Sequence, residues 1–104
     1  MEAKEGSGKC PFRAWLDRLR DQQAVRKIEA RVARVRLGNF GDSKPVEEGV
    51  VELRISYGPG YRAYFGRDGS TIVVLLCGGG KSTQDKDIEL AKRYWREYKE
   101  REDD

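Results

Sequence analysis

The 104-residue sequence contains no histidine. That absence removes Ser-His and Cys-His dyads, imidazole acid–base catalysis and most zinc sites. Any chemistry must therefore use arginine, lysine, tyrosine, glutamine or a carboxylate. Cysteine is scarce as well, with only Cys10 and Cys77. Cys77 ends an apolar run and reads as core, with nothing nearby that looks like a base to activate it. No stretch approaches the roughly 18 consecutive apolar residues of a membrane span, and the opening MEAKEGSGKCPF lacks the apolar centre of a signal peptide. The expectation is a cytoplasmic protein with both thiols reduced and no membrane partner. Net charge is small too: 21 Lys and Arg stand against 18 Asp and Glu, giving +3. That sum favours a polyanionic partner only weakly, so the placement of the arginines matters more than their number.

What is present fits one domain over residues 1–104. A chain of this size buries somewhat over ~60% of its unfolded surface, enough for one core without staples. Residues 1–9 are polar and read as a loose end. Pro11 suits the first turn of a helix, and Phe12, Trp15, Leu16 and Leu19 have amphipathic helical spacing. Asp21 predicts the N-cap of a second helix. Its apolar stripe is Ala24, Val25, Ile28, Val32 and Val35, and Gly38 ends it. Arg26, Lys27, Arg31, Arg34 and Arg36 lie off that stripe, as either a solvated face or a contact with a phosphate backbone or the ribosome. Residues 38–49, GNFGDSKPVEEG, predict a loop. Strands are predicted over about 50–57, 61–65 and 72–77, the first two joined through Gly58-Pro59-Gly60. The third is apolar throughout, as a strand buried on both faces is. Arg67-Asp68-Gly69 predicts a turn. Ser82 or Thr83 can cap a last helix with Ile88, Ala91 and Trp95 on one face, and residues 101–104 read as a frayed acidic end.

The hairpin carries the polar residues of interest. If Tyr57 faces Tyr61, paired residue numbers sum to 118, so Ser56 opposes Arg62 and Arg54 opposes Tyr64. Alternation then gives one face to Leu53, Ile55, Ala63 and Phe65, and the other to Glu52, Arg54, Ser56, Arg62 and Tyr64. Cross-strand neighbours lie about 4.5–5.5 Å apart, so Arg54, Arg62 and Tyr64 should cluster. Such a set suits attack of an RNA 2′-hydroxyl on its own phosphodiester: guanidinium forks hold phosphate oxygens, and a tyrosine stacks on a base or moves a proton. Lys81, just past the third strand, would be delivered to the same end of the sheet. Against these roles stand an ion pair between Arg54 and Glu52 and half-buried packing of Tyr64.

Two motifs are rejected. Gly80-Lys81-Ser82 matches the end of a P-loop, but the required first glycine falls at Leu75 inside a strand. Asp85, Asp87 and Glu89 could suggest a cation site, yet carboxylates in a first helical turn simply favour the helix dipole. No metal and no cofactor is expected.

Three segments together carry a family resemblance: PFRAWLDRLRD, IEARVARVRLGNFGDSKPVEEGVVELRISYGPGYRAYF, and IVVLLCGGGKSTQDKDIELAKRYW. Over about residues 11–98 the chain resembles the RelE/ParE toxin superfamily, and within it the HigB-like, phage-type addiction-module killer branch of type II toxin–antitoxin systems. The resemblance implies an α+β fold, with an N-terminal helical hairpin packed on a small twisted antiparallel sheet and a C-terminal helix. It implies a cognate antitoxin of helix-turn-helix type, with DNA met only indirectly through the antitoxin complex. Many superfamily members are metal-independent endoribonucleases that cut mRNA on the ribosome, so ribosome and mRNA are the implied partners. Carried over by position, their catalytic strand arginines and exit lysine correspond to Arg54, Arg62 and Lys81, beside Tyr64 from the hairpin argument. Arg31, Arg34, Lys44 and Gln84 are candidates for RNA or ribosome contact. Ribosome-dependent members also carry a catalytic tyrosine shortly after the lysine-bearing loop. This chain has Gln84-Asp85-Lys86-Asp87-Ile88 there, leaving Tyr64 or Asp85 as replacements. Members also begin with a strand that MEAKEGSGKC does not suggest. Two other functions fit the same resemblance: a non-enzymatic toxin that binds DNA gyrase, as ParE proteins do, or a nontoxic relic that only binds its antitoxin.

Overall fold

The structure, a computed structural model, describes residues 10–68 and 72–103. The predicted loose end at 1–9, the Gly69 end of the predicted turn and residue 104 lie outside them. Two helices come first, α1 (Pro11–Arg18) and α2 (Gln22–Arg36). Asp21 caps α2 as expected, its carboxylate accepting from the amides of Gln23 at 3.0 Å and Ala24 at 3.3 Å. Gly38 ends the helix with φ 89°, and its N–H donates to the Val35 carbonyl at 2.9 Å.

Four strands then form an antiparallel meander in the order β1 (Ser43–Pro45), β2 (Val50–Ile55), β3 (Tyr61–Asp68) and β4 (Ile72–Gly80). β1 falls where a loop was predicted. It is three residues long, polar and ends in proline, so it has no alternation to read. The hairpin register also differs from the expectation. Ile55 pairs with Tyr61, Arg54 with Arg62, Leu53 with Ala63 and Glu52 with Tyr64, a sum of 116 rather than 118. The chain leaves β2 after Ile55, so residues 56–60 make a longer turn than Gly-Pro-Gly alone. A change of two in the sum preserves which side chains share a face. It replaces the expected Arg54–Tyr64 neighbour by a direct Arg54–Arg62 pair.

Helices cover both faces of the sheet. On one, Phe12, Leu16, Ile28, Val32 and Val35 pack against Leu53, Ile55, Ala63, Phe65 and Leu75. On the other, Ala91 and Trp95 of α3 (Gln84–Asp103) pack with Val50, Tyr64, Val74, Leu76 and Cys77. This double cover explains why β4 is apolar throughout despite its antiparallel partner. Its register slips between Tyr64–Cys77 and Phe65–Leu75, and the bulge turns both Leu76 and Cys77 toward α3. A Cβ at Gly78 would collide with the Trp15 ring, and one at Gly79 with the Asp87 carboxylate. Both helices thus rest directly on the glycine end of β4. A 3-10 turn at Lys81–Thr83 joins that end to α3, which runs to Asp103. Among the described residues no helix is long and apolar enough to cross a membrane.

Candidate functional site

The end of β2, the start of β3, the exit of β4 and the first residue of α3 meet at one end of the sheet. Between them lies an open cleft of about 250 Å³, lined among others by Asp42, Arg54, Tyr57, Tyr61, Arg62 and Lys81. Three of the four predicted catalytic residues, Arg54, Arg62 and Lys81, are therefore brought together. The fourth is not. Tyr64 has no exposed surface and sits beneath α3. Burial first, then the negative charge of Glu52, hold its proton well above the usual phenol range. The face expected to be open is roofed by a helix, so Tyr64 is a core residue that can neither stack on a base nor give up its proton to one. Asp85, the other replacement for the missing tyrosine, is exposed on the first turn of α3 and is not among the residues lining this cleft.

Glu52, which the sequence reading treated only as an ion-pair partner, organises the floor. It is 1% exposed. Its Oε1 accepts from Arg54 Nε at 3.2 Å and lies 3.5 Å from Arg62 Nε, while its Oε2 accepts from Gln84 Nε2 at 2.9 Å and Tyr64 Oη at 3.4 Å. The ion pair between Arg54 and Glu52 thus exists, yet it uses only the inner nitrogen of the guanidinium. Among the described residues Arg62 Nε is the buried side-chain nitrogen left without an aligned hydrogen bond, despite its ion-pair distance. Gln84, predicted to touch RNA, instead spends its amide on Glu52 as the first residue of α3.

The remaining predictions divide. Arg31 does not reach solvent as a free cation: its guanidinium donates to the carbonyls of Arg54 at 2.6 Å, Phe40 at 3.1 Å and Asp42 at 3.2 Å. It is a clamp tying α2 to β2 and the following loop, because the 38–42 segment folds back over this side of the helix. That clamp, with the Arg54 N–H bonded to the Asp42 carbonyl at 3.0 Å, sets Asp42 at the cleft. Arg34 and Lys44 are exposed on α2 and β1, outside the cleft. Asp42 and the half-buried Tyr57 and Tyr61 were missed as cleft residues. Tyr57 donates to Gln23 Oε1 at 2.9 Å, and its pKa is raised by desolvation first and by Asp21 next. It too holds its proton, and Asp42 is the acidic residue among those lining the cleft. Among the described residues no group of acidic and cysteine side chains is placed to hold a cation.

Cys77 is buried, its thiol pushed up to about 12 by burial and then by Asp87; with no thiolate available it fills core. Thr83 donates to Asp87 Oδ2 at 2.6 Å, so the last residue of the 3-10 turn is tied to the first turn of α3.

Compared with known proteins, the chain matches no family model and no solved structure. It is 53% identical over 81 residues to an uncharacterized protein of Haemophilus influenzae, covering 78% of this chain and 82% of that one. At that identity and coverage the two share one fold and one core, and the chain belongs to the same family as the Haemophilus influenzae protein.

Proposed function

We propose that this protein is the toxin of a type II toxin–antitoxin pair in the RelE/ParE superfamily, and that it is an endoribonuclease acting on mRNA at the ribosome. The observation that carries the reading is the juxtaposition of Arg54 and Arg62, directly opposed across β2 and β3, in one open cleft with Lys81. Like charges placed opposite each other in a sheet destabilise it, so such a pair is expected where an anion is to be held. A phosphodiester is the anion that fits: two forks hold its non-bridging oxygens and steady the charge gained in the transition state. In this reading the 2′-oxygen attacks phosphorus and passes its proton to Asp42. The bond to the 5′-oxygen breaks, Lys81 supplies the proton to that oxygen, and a 2′,3′-cyclic phosphate and a 5′-hydroxyl result. Tyr57 and Tyr61 offer ring surface beside the arginines for a base. An antitoxin would cover this cationic cleft with acidic or amphipathic segments.

The test is induction in cells without the antitoxin, followed by mapping of new transcript 5′ ends. Cuts confined to translated frames, in fixed codon phase, are expected. Growth arrest without new ends, accompanied by DNA breaks, would replace the nuclease reading by a gyrase-binding toxin. No growth arrest from a folded, antitoxin-binding protein would leave the nontoxic relic.

A further inference from the structure

The cross-strand pair poses a physical problem that RNA contact alone does not answer: what keeps two guanidiniums side by side when the cleft is empty. Opposed like charges should splay toward solvent, at the cost of any fixed geometry. Here both stay, one with 40% and the other with 13% of its side chain exposed. Both turn the same atom, Nε, toward the same carboxylate oxygen of Glu52. A guanidinium that meets a carboxylate through Nε keeps the fork formed by its two Nη groups on a separate edge, available to a second anion. Among the described residues neither Nη pair of Arg54 or Arg62 has a hydrogen-bond partner. The carboxylate itself is immobile. Gln84 holds its second oxygen from the start of α3, and Tyr64 holds it from the neighbouring strand. With three donors bonded to it, Arg62 Nε at ion-pair distance and 1% exposure, Glu52 has no access to a substrate hydroxyl.

We infer that Glu52 is a positioning residue: it fixes the Arg54 and Arg62 guanidiniums side by side, Nη forks outward, as a preformed cradle for one phosphodiester, with Gln84 coupling its orientation to helix α3. The inference rests on the function proposed above for its RNA substrate, but the cradle can be tested without it. Preorganised donors are the part of such a site that transition-state charge exploits. A carboxylate that merely neutralised the cleft would do the opposite job, because it would weaken every anion.

Those two roles differ in sign. Glu52→Gln adds one unit of positive charge to the cleft while keeping shape. Binding is measured by calorimetry with two probes, inorganic pyrophosphate and a short 2′-O-methyl RNA that cannot be cleaved. Cleavage of the matching ribose RNA on translating ribosomes is measured in parallel. If Glu52 positions the forks, Glu52→Gln binds both probes about tenfold more weakly despite its added charge, the loss of one charge-assisted contact. Its kcat then falls by about 10²-fold, as misplaced groups cause. Equal or tighter binding of both probes by Glu52→Gln would overturn the inference. Gln84→Ala leaves every charge in place and guards against a folding failure; it should weaken both probes in the same direction, less strongly. Wild-type binding by Gln84→Ala would remove the helix coupling. If the wild-type protein bound pyrophosphate but neither bound nor cut RNA, the nuclease reading would fall while the pyrophosphate comparison still decided the role of Glu52. Binding of neither probe would overturn both.

Discussion

The two ends of the sheet use the same residue types to different effect. At the far end Arg96 bonds Glu48 at 2.9 Å, Lys92 lies 3.9 Å from the same residue, Lys99 sits 5.3 Å from the centre of the Trp95 ring, and Arg67 lies 4.7 Å from that of Phe40. Each of these cations has a partner, Arg96 and Lys92 sharing Glu48, and Glu48 is exposed. At the near end two arginines share one buried carboxylate and line an open cleft. Both ends are cationic by composition, and both line cavities. What separates them is the burial of the acid. An exposed glutamate follows its partner about, whereas an immobile one dictates where its partners stand. Charge counting along the sequence cannot see that difference.

The comparison is broken most directly by removing one cation from each end. Arg62→Ala should reduce RNA cleavage by about 10²–10³-fold, the usual loss for one group that stabilises transition-state charge, and should abolish toxicity with the fold intact by circular dichroism. Arg96→Ala should leave both unchanged. Equal loss from the two variants would mean that net charge, not the cradle, drives function. Beneath the near end, Leu53 lies between Glu52 and Arg54 with no exposed surface. Leu53→Ala should cost ~2–5 kcal/mol in urea unfolding. An unchanged midpoint would take Leu53 out of the core and the two arginines off the opposite face.

A third measurement concerns pH, and the sign follows from which protonation state the fold retains. The Cys77 thiol is raised from 9.0 to about 12, by burial first and Asp87 next, and the Tyr64 phenol is raised in the same direction. Both groups stay protonated in the native state after their unfolded counterparts begin to ionise. Their contribution to stability is therefore full below pH 9 and is lost as pH rises toward 12. The urea midpoint should fall as pH rises from 9 toward 12, and Cys77→Ala should lessen the slope. A midpoint that is flat across this range in the wild type would show that neither group is as enclosed as the packing against α3 requires.

Much of this was legible in the chain, and the limits have physical causes. The caps at Asp21 and Gly38, the two apolar helix stripes and the alternation of β2 and β3 are local signals. Each of these elements forms near where it was predicted, although β2 ends at Ile55 and β3 runs on through Arg67 and Asp68, which were predicted as a turn. That Arg54 and Arg62 share a face followed from alternation and holds despite the different register because the shift is even, while Lys81 followed from its place at the exit of the third strand. Tyr64 was misjudged because alternation tells which side chains share a face but not which face a distant helix covers; α3 returns over it from some twenty residues later. Arg31 was misjudged for the same reason, its solvent side being occupied by the 38–42 loop. Glu52 left a signal that could have been used: a lone acid between Val51 and Leu53, on the face shared by two arginines and a tyrosine, is either buried and paired or out of place.

The smallest effect sharpens the comparison from the other side. Glu48 carries two cations as Glu52 does, Arg96 at 2.9 Å and Lys92 at 3.9 Å, but with about half of its side chain in water, at 46%. Exposed pairs of this kind contribute about 0–1 kcal/mol, since solvent screens them and ordering long side chains costs entropy. Glu48 also adopts φ 56°, a left-handed conformation that disfavours a side chain. Glu48→Gly would lose the ion pairs and relieve that backbone strain, two small terms of opposite sign, so its urea midpoint should lie within about 1 kcal/mol of wild type. It should leave RNA-binding affinity unaltered. A large loss of stability or of binding would mean that the far end holds its cations as rigidly as the near end does, and that burial of the acid is not what makes a site.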